Sequence, residues 1–255
     1  MGPELMEEFR KQAERFGARL QTNGLEACTL KDGGPHSVTT AAGETFETTA
    51  LIVATGARPR RLGLESEEAL RNKGVSYCAT CDGALFRDVP VAVVGGGDSA
   101  MEEALFLSRF ASSVMVIHRR DELRASKAMQ NQAFSNDKIT FQWNSVVDRV
   151  LDVKEDKVTG VVVRDVNTDE KSTIECEALF PAIGHIPNTD AFRGQLELDE
   201  RGYLVLPDPG RSDVDLRGVF VAGDCADARY RQAVTAAGMG CRAAMDAEKW
   251  LQEQS

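Results

Sequence analysis

Cys78 and Cys81 stand in the run CATCD with two residues between them, directly before Asp82. That spacing is compatible with half of a zinc site, a pair of inert structural thiols, or a small disulfide ring open to thiol–disulfide exchange. A zinc site lacks its other half: no second C-x-x-C exists, and Cys225 and Cys241 lie 16 residues apart. No metal is therefore expected, while the inert and redox readings both stay open. Asp82 is positioned either to hand a proton to a thiolate leaving the pair or to serve as a turn or cap acid.

Cys81 lies only 14 positions before Gly95, where the apolar run VAVV meets GGGDSA. In a dinucleotide-binding turn the first glycine makes the bend, the second lets backbone approach a pyrophosphate, and a small third residue lets helix pack on strand. Gly95, Gly97 and Ala100 match, with Asp98 and Ser99 in the same turn. The context matches too, since a strand precedes and a helix follows with Ala100, Ala104 and Leu107 on one face. An NAD site would offer an acidic residue about 20 positions on. Here VMVIHRRDELR supplies His118, Arg119, Arg120 and Arg124. Planar guanidinium groups suit an extra 2′-phosphate, so the pattern points to NADPH, against the plainer reading of a solvated basic corner. A hydride and a dithiol each handle two electrons, and the usual carrier between them is a flavin. Disulfide and nicotinamide would then belong to one small domain and take turns at a flavin held elsewhere, swivelling at the crossings near 57–62 and 184–188.

The elements needed to hold these groups are visible in the periodicity. An amphipathic opening helix spans 3–16, with Leu5, Phe9, Ala13 and Phe16 at helical spacing. Short β-like runs follow, then the buried-looking strand ALIVATG. From Pro90 strand and helix alternate: VAVV, DSAMEEALFLSRF, VMVI, ASKAMQNQAF. Residues 139–183 (ITFQW, VVDRVLDV, VTGVVVRDV, LFPAI) read as mostly antiparallel strands. The tail offers GVFVAGD and a long helix from about Arg231 to Glu253, in which Ala233, Ala236, Ala237, Gly240, Ala244 and Ala247 predict a stripe of close packing. Three apolar runs, LIVATG, LFPAIG and VFVAGD, end at a glycine, as ligand-binding strands of open α/β sheets do.

At 255 residues the chain can bury a sizeable core as one large domain or two smaller ones, and two is the expectation. A formal charge of -10 is the wrong sign for sequence-independent nucleic-acid binding. No apolar run approaches the roughly 20 residues of a membrane span. Six cysteines, one closely spaced pair among them, suit a reducing cytoplasm better than a secreted scaffold.

In combination and order, CATCDG, VAVVGGGDSAMEEALFLS, HRRDELRASK, GHIPNT, GVFVAGDCAD and YRQAVTAAGMGCRAAMDAEKWL resemble the low-molecular-weight, bacterial and plant type thioredoxin reductases. The resemblance runs from the opening helix to the C-terminus. It implies an α/β protein of two Rossmann-like, three-layer domains: an FAD domain over 1–58 and 188–255, and an inserted NADPH domain over 62–184. It assigns thioredoxin exchange to Cys78, the flavin-facing sulfur to Cys81 and the acid to Asp82. It adds Ile183 to the NADPH residues and implies Thr55, Gly56, Gly223, Asp224, Arg231, Gln232 and Ala233 on the FAD side. Thioredoxin as partner and a homodimer are further implications.

The family begins with a strand and glycine-rich loop for the ADP half of FAD, and nothing before GPELM supplies it. The expectation is an N-terminally truncated FAD domain with a weakened hold on FAD and an exposed sheet edge. Cys225 stands where the family usually has an aliphatic residue and is expected to be a small buried side chain. The rivals to a thioredoxin-disulfide reductase are the flavoprotein reductase of a peroxiredoxin, an NADPH-binding module without turnover, and a regulatory thiol switch. A ferredoxin-type reductase of the same architecture lacks the cysteine pair.

Overall fold

The computed structural model describes residues 2–254; positions 1 and 255 of the expected domain bounds lie outside the described residues. In chain order the elements are α1 (Gly2–Arg15), β1 (Leu25–Thr29), β2 (His36–Thr40), β3 (Thr45–Thr48), β4 (Leu51–Val53), β5 (Ala57–Pro59), α2 (Glu65–Ala69), α3 (Ala79–Asp82), β6 (Pro90–Val94), α4 (Asp98–Leu107), β7 (Ser113–Ile117) and α5 (Lys127–Phe134). There follow β8 (Ile139–Gln142), β9 (Ser145–Val150), β10 (Gly160–Asp165), β11 (Lys171–Glu175), β12 (Ala178–Pro181), β13 (His185–Pro187), β14 (Val219–Val221) and α6 (Ala233–Glu253). The backbone gathers into two compact units, Arg58–Ile186 and the chain on either side of it.

The Arg58–Ile186 unit has three layers. Its centre is a parallel sheet of order β12-β6-β7-β8. Side chains alternate across a strand, so Val91 and Val93 of β6, with Val114 and Val116 of β7, pack against Ala100, Met101, Ala104 and Leu107 of α4. Ala92, Val94 and Ile117 point the other way, into a second core with Val147, Val150, Val161 and Val163 of the antiparallel sheet β11-β10-β9. Burial on both faces is why these strands read as unbroken apolar runs.

The expectation of mostly antiparallel strands over 139–183 needs correcting at both ends. Residues 139–142 form β8, which follows the α5 crossover and so runs parallel to β7, and LFP lies in β12, parallel to β6. Only β9, β10 and β11 are antiparallel. β11 carries no alternating apolar pattern, because it is an exposed edge.

In the other unit β1, β2 and β3 form an antiparallel meander, and β14 pairs in parallel with β4. α1 forms as expected, but Leu5, Met6, Phe9 and Phe16 all remain exposed. The small-residue stripe of α6 is also corrected: Ala233, Ala237 and Ala244 are exposed. The helix instead seats Ala243 and Ala247 on Phe220 and Ala222, with Met239 and Trp250 beside them. Strand β14 is short, so it covers one i, i+4 pair rather than a full-length stripe. The chain crossings β5 and β13 form a two-stranded ladder. Among the described residues no helix is long and apolar enough to cross a membrane.

Candidate active site

Cys78 and Cys81 are joined in a disulfide. Cys78 caps the single turn α3, its Sγ accepting the Cys81 N–H at 3.2 Å, which leaves Cys81 exposed and Cys78 half-buried. Behind the ring sits Ser76, 6 % exposed. Its hydroxyl donates to Asp82 Oδ2 at 2.6 Å and accepts the Cys78 N–H at 3.2 Å. One side chain thus ties the expected acid to the start of the disulfide loop. The next residue, Tyr77, donates to the fully buried carboxylate of Glu67 at 2.9 Å, and burial followed by that hydrogen bond pushes the phenol well above its ordinary pKa. Glu67 also accepts the Leu62 and Gly63 N–H groups at 3.0 and 2.9 Å, anchoring the segment after β5 to the strand-like approach to Cys78.

Two of the remaining cysteines offer little redox chemistry by comparison. Burial pushes the Cys176 thiol up to about 12 and raises Cys225, so both stay protonated where a thiolate is the reactive form. Cys225 is the small buried side chain expected of it. Cys28 is half-buried, its Sγ donating to Ala191 O at 3.1 Å; Cys241 is exposed on α6.

In the same unit as the disulfide lies the glycine turn. Gly95 has φ +152°, and a Cβ there would meet Ala182 O at 2.5 Å and Ala100 Cβ at 2.8 Å. Gly96 lies against the His118 ring, which leaves no room for a side chain. Gly97, the residue before α4, is different: a Cβ on it would meet nothing within 4 Å. The turn is closed beneath and open above, the shape needed for backbone N–H groups and a helix N-terminus to receive a phosphate. Ile183 is half-buried against the second core of this unit. Asp98 and Ser99 begin α4, and Ala100 is fully buried beneath it.

His118 lies at the end of β7, 4 % exposed, with Nε2 3.0 Å from Glu122 O. Burial, the largest cause, lowers its pKa, and its ring packs against Gly96. Arg119, Arg120 and Arg124 are all exposed, and none forms an ion pair or hydrogen bond through its guanidinium among the described residues.

The other unit gathers the second set. Thr55 and Gly56 follow β4, and Asn188 clasps them: Thr55 Oγ1 donates to Asn188 O at 2.6 Å, while Asn188 Nδ2 donates to Thr55 O at 2.9 Å. Gly223 and Asp224 follow β14 in a single 3-10 turn. The Oδ1 of Asp224 is buried without a hydrogen-bond partner, and desolvation raises its pKa. An orphaned buried carboxylate oxygen fits a hydroxyl-bearing ligand, because an unsatisfied acceptor is costly and a polyol chain supplies donors. Arg231 takes φ +49°, its N–H donating to Asp227 Oδ2 at 3.3 Å, and Gln232 caps α6, which begins at Ala233. All three apolar runs ending in glycine turn there with positive φ, at Gly56, Gly184 and Gly223.

Sequence reasoning missed Ser76, Glu67, Asn188 and Ser126. Hydroxyl spacing around CATCD could have flagged Ser76, and Ser126 stands as the N-cap of α5. The reach of Asn188 to Thr55 spans 133 residues and leaves no local signal.

The family model described as pyridine nucleotide-disulphide oxidoreductase matches residues 4–240. A thioredoxin reductase of Streptomyces clavuligerus is 53 % identical over 251 residues, covering 98 % of this chain and 77 % of that protein. A bifunctional thioredoxin reductase/thioredoxin of Mycobacterium leprae is 49 % identical over 255 residues, 100 % of this chain and 55 % of that one. The solved thioredoxin reductase of Giardia duodenalis superposes with a TM-score of 0.91 at 42 % identity, covering 98 % of this chain and 81 % of its own. With a matching family model over most of its length and such relatives, the chain belongs to the pyridine nucleotide-disulphide oxidoreductases and, among them, to the thioredoxin reductases.

Proposed function

We propose that the protein is a thioredoxin-disulfide reductase that draws two electrons from NADPH and delivers them, through FAD, to the Cys78–Cys81 disulfide and on to thioredoxin. One observation carries this reading: a formed disulfide and a closed-below, open-above glycine turn belong to one compact unit.

Each group has an assigned task. The turn of Gly95, Gly97, Asp98, Ser99 and Ala100 receives the pyrophosphate, with Ile183 beside the nicotinamide half, while Arg119, Arg120 and Arg124 take the 2′-phosphate. In the other unit Asp224 holds the ribityl hydroxyls, and Thr55, Gly56, Gly223 and Arg231–Ala233 line the isoalloxazine. When bound, FAD supplies the two-electron relay between nicotinamide and disulfide. Reduction of the disulfide consumes two electrons and two protons; Asp82, held by Ser76, carries a proton to the departing thiolate. Cys78 then attacks the thioredoxin disulfide, and Cys81 resolves the mixed disulfide, so one dithiol is oxidised as the other forms. Residues 62–184 form the NADPH domain, and 1–58 with 188–255 the FAD domain, in a cytoplasmic homodimer.

The visible absorption spectrum of the purified chain separates a flavoprotein from an NADPH-binding module, which would be colourless. The decisive assay is thioredoxin-dependent NADPH oxidation with FAD supplied. Cys78→Ser is expected to abolish thioredoxin reduction, and retention of the full rate refutes the assignment.

A further inference from the structure

The carboxylate of Asp98 is an awkward neighbour for a phosphate, since it puts a negative charge on the first turn of the helix that should receive one. A helix start tolerates an acid for its own sake, but this one is directed elsewhere. Its Oδ1 accepts the Ser126 N–H at 2.7 Å, from a residue 28 positions away. Ser126 ends the loop that carries Arg119, Arg120 and Arg124, and it caps the next helix, α5. The same loop returns to the glycine turn at a second point, where Gly96 O accepts the Arg124 and Ala125 N–H groups at 2.7 and 3.1 Å. Inside the loop, His118 Nε2 meets Glu122 O, and Gln130 Nε2 donates to Ala125 O at 2.7 Å.

We propose that Asp98 is a positioning residue for dinucleotide selection: its carboxylate clasps the arginine loop to the glycine turn and so holds the guanidinium groups where a 2′-phosphate lands. This rests on the NADPH reading above. The three arginines are exposed and long, and each loses rotamer freedom when it engages an anion. Fixing the backbone beneath them lowers the ordering cost of binding the 2′-phosphate, and any effect of Asp98 on a 5′-phosphate at the turn is common to nucleotides with and without it. Among the hydrogen bonds that join loop and turn in the described residues, Asp98 supplies the one made by a side chain, so it is the one a substitution can remove without touching the backbone.

The test measures binding of two probes to the full chain by calorimetry. Adenosine 2′,5′-bisphosphate and adenosine 5′-monophosphate differ only in the 2′-phosphate, so the ratio of their Kd values isolates its recognition. Asp98→Ala removes charge and acceptor together, whereas Asp98→Asn removes the charge and keeps an oxygen that can accept from Ser126. The expected result is a ratio reduced about tenfold in Asp98→Ala, the worth of one hydrogen bond, and near the wild-type value in Asp98→Asn. Amide hydrogen exchange should quicken at Ser126 in the alanine variant and stay slow at Val93 and Val116 in the central sheet. If the alanine variant is unstable, Asp98→Ser, whose hydroxyl is one bond short of Ser126, is expected to give the same ratio. An unchanged ratio in the alanine or serine variant overturns the proposal, as does an equal loss in Asp98→Asn. A wild-type chain with no preference for the bisphosphate overturns the NADPH reading itself, which keeps the two failures distinct.

Discussion

Two glycines two positions apart should fail in opposite ways. In Gly95→Ala the new methyl would lie 2.5 Å from Ala182 O and 2.8 Å from Ala100 Cβ, on a backbone held at φ +152°. Neither neighbour is a movable side-chain end: one is the chain leaving β12, the other the first buried contact of α4. Backbone strain of about 1–3 kcal/mol adds to overpacking of about 1–3 kcal/mol. Taken near 3 kcal/mol, the loss lowers the melting midpoint by roughly 10 °C for a domain of this size. In Gly97→Ala the methyl meets nothing within 4 Å and φ is -98°, so there is neither clash nor strain. The weaker helix cap costs a few tenths to about 1 kcal/mol and reduced freedom of the unfolded chain returns a similar amount, so the midpoint should stay within a few degrees. The methyl does occupy the side from which a phosphate must approach, and NADPH affinity should fall about tenfold or more. Thermal unfolding of both variants, with fluorescence titration of NADPH, reads both effects. A Gly97→Ala variant that melts as early as Gly95→Ala, or a Gly95→Ala variant that melts like the wild type, would refute the reasoning.

The remaining expectations concern buried polar groups. His36 and His118 both have pKa values lowered by burial, so below the unfolded value of about 6.5 the unfolded chain binds protons that the folded chain refuses. Stability present above that pH should be lost as pH falls through the folded values, and denaturant midpoints between pH 8 and 5 should drop less in His36→Gln than in the wild type. Ser76→Ala removes the donor that fixes Asp82; thioredoxin turnover should fall about tenfold with NADPH binding unchanged, and Ser76→Thr should recover part of it. A rate at wild-type level in the alanine variant would show that Asp82 needs no such support. Asp224→Asn removes charge from a buried oxygen that lacks a partner, so the flavin-free chain should gain up to about 1 kcal/mol while FAD affinity falls. Unfolding without flavin and FAD titration check the two halves separately.

Much of the candidate site was proposed from the order of residues, because its signals are local. The C-x-x-C run, the strand–glycine–helix turn and the basic end of the second strand each lie within a dozen residues, and their chemistry follows from residue type and spacing. The burial of β6 and β7 on both faces is likewise legible, because VAVV and VMVI are apolar at every position. Strand direction was not legible for β8 and β12, since an apolar run carries no mark of which neighbour it will meet; the α5 crossover and the pairing with β6 decided that. Nor could composition show which alanines of α6 would be buried. A helix offers every face at equal intervals, and only the short β14 selects Ala243 and Ala247. The supports of the chemistry, Ser76 under Asp82, Asn188 around Thr55 and Asp98 on Ser126, are single hydrogen bonds across folded distance. Residue types fixed what could react, whereas long-range hydrogen bonds, formed once the cores had brought distant chain together, decided how those groups are held.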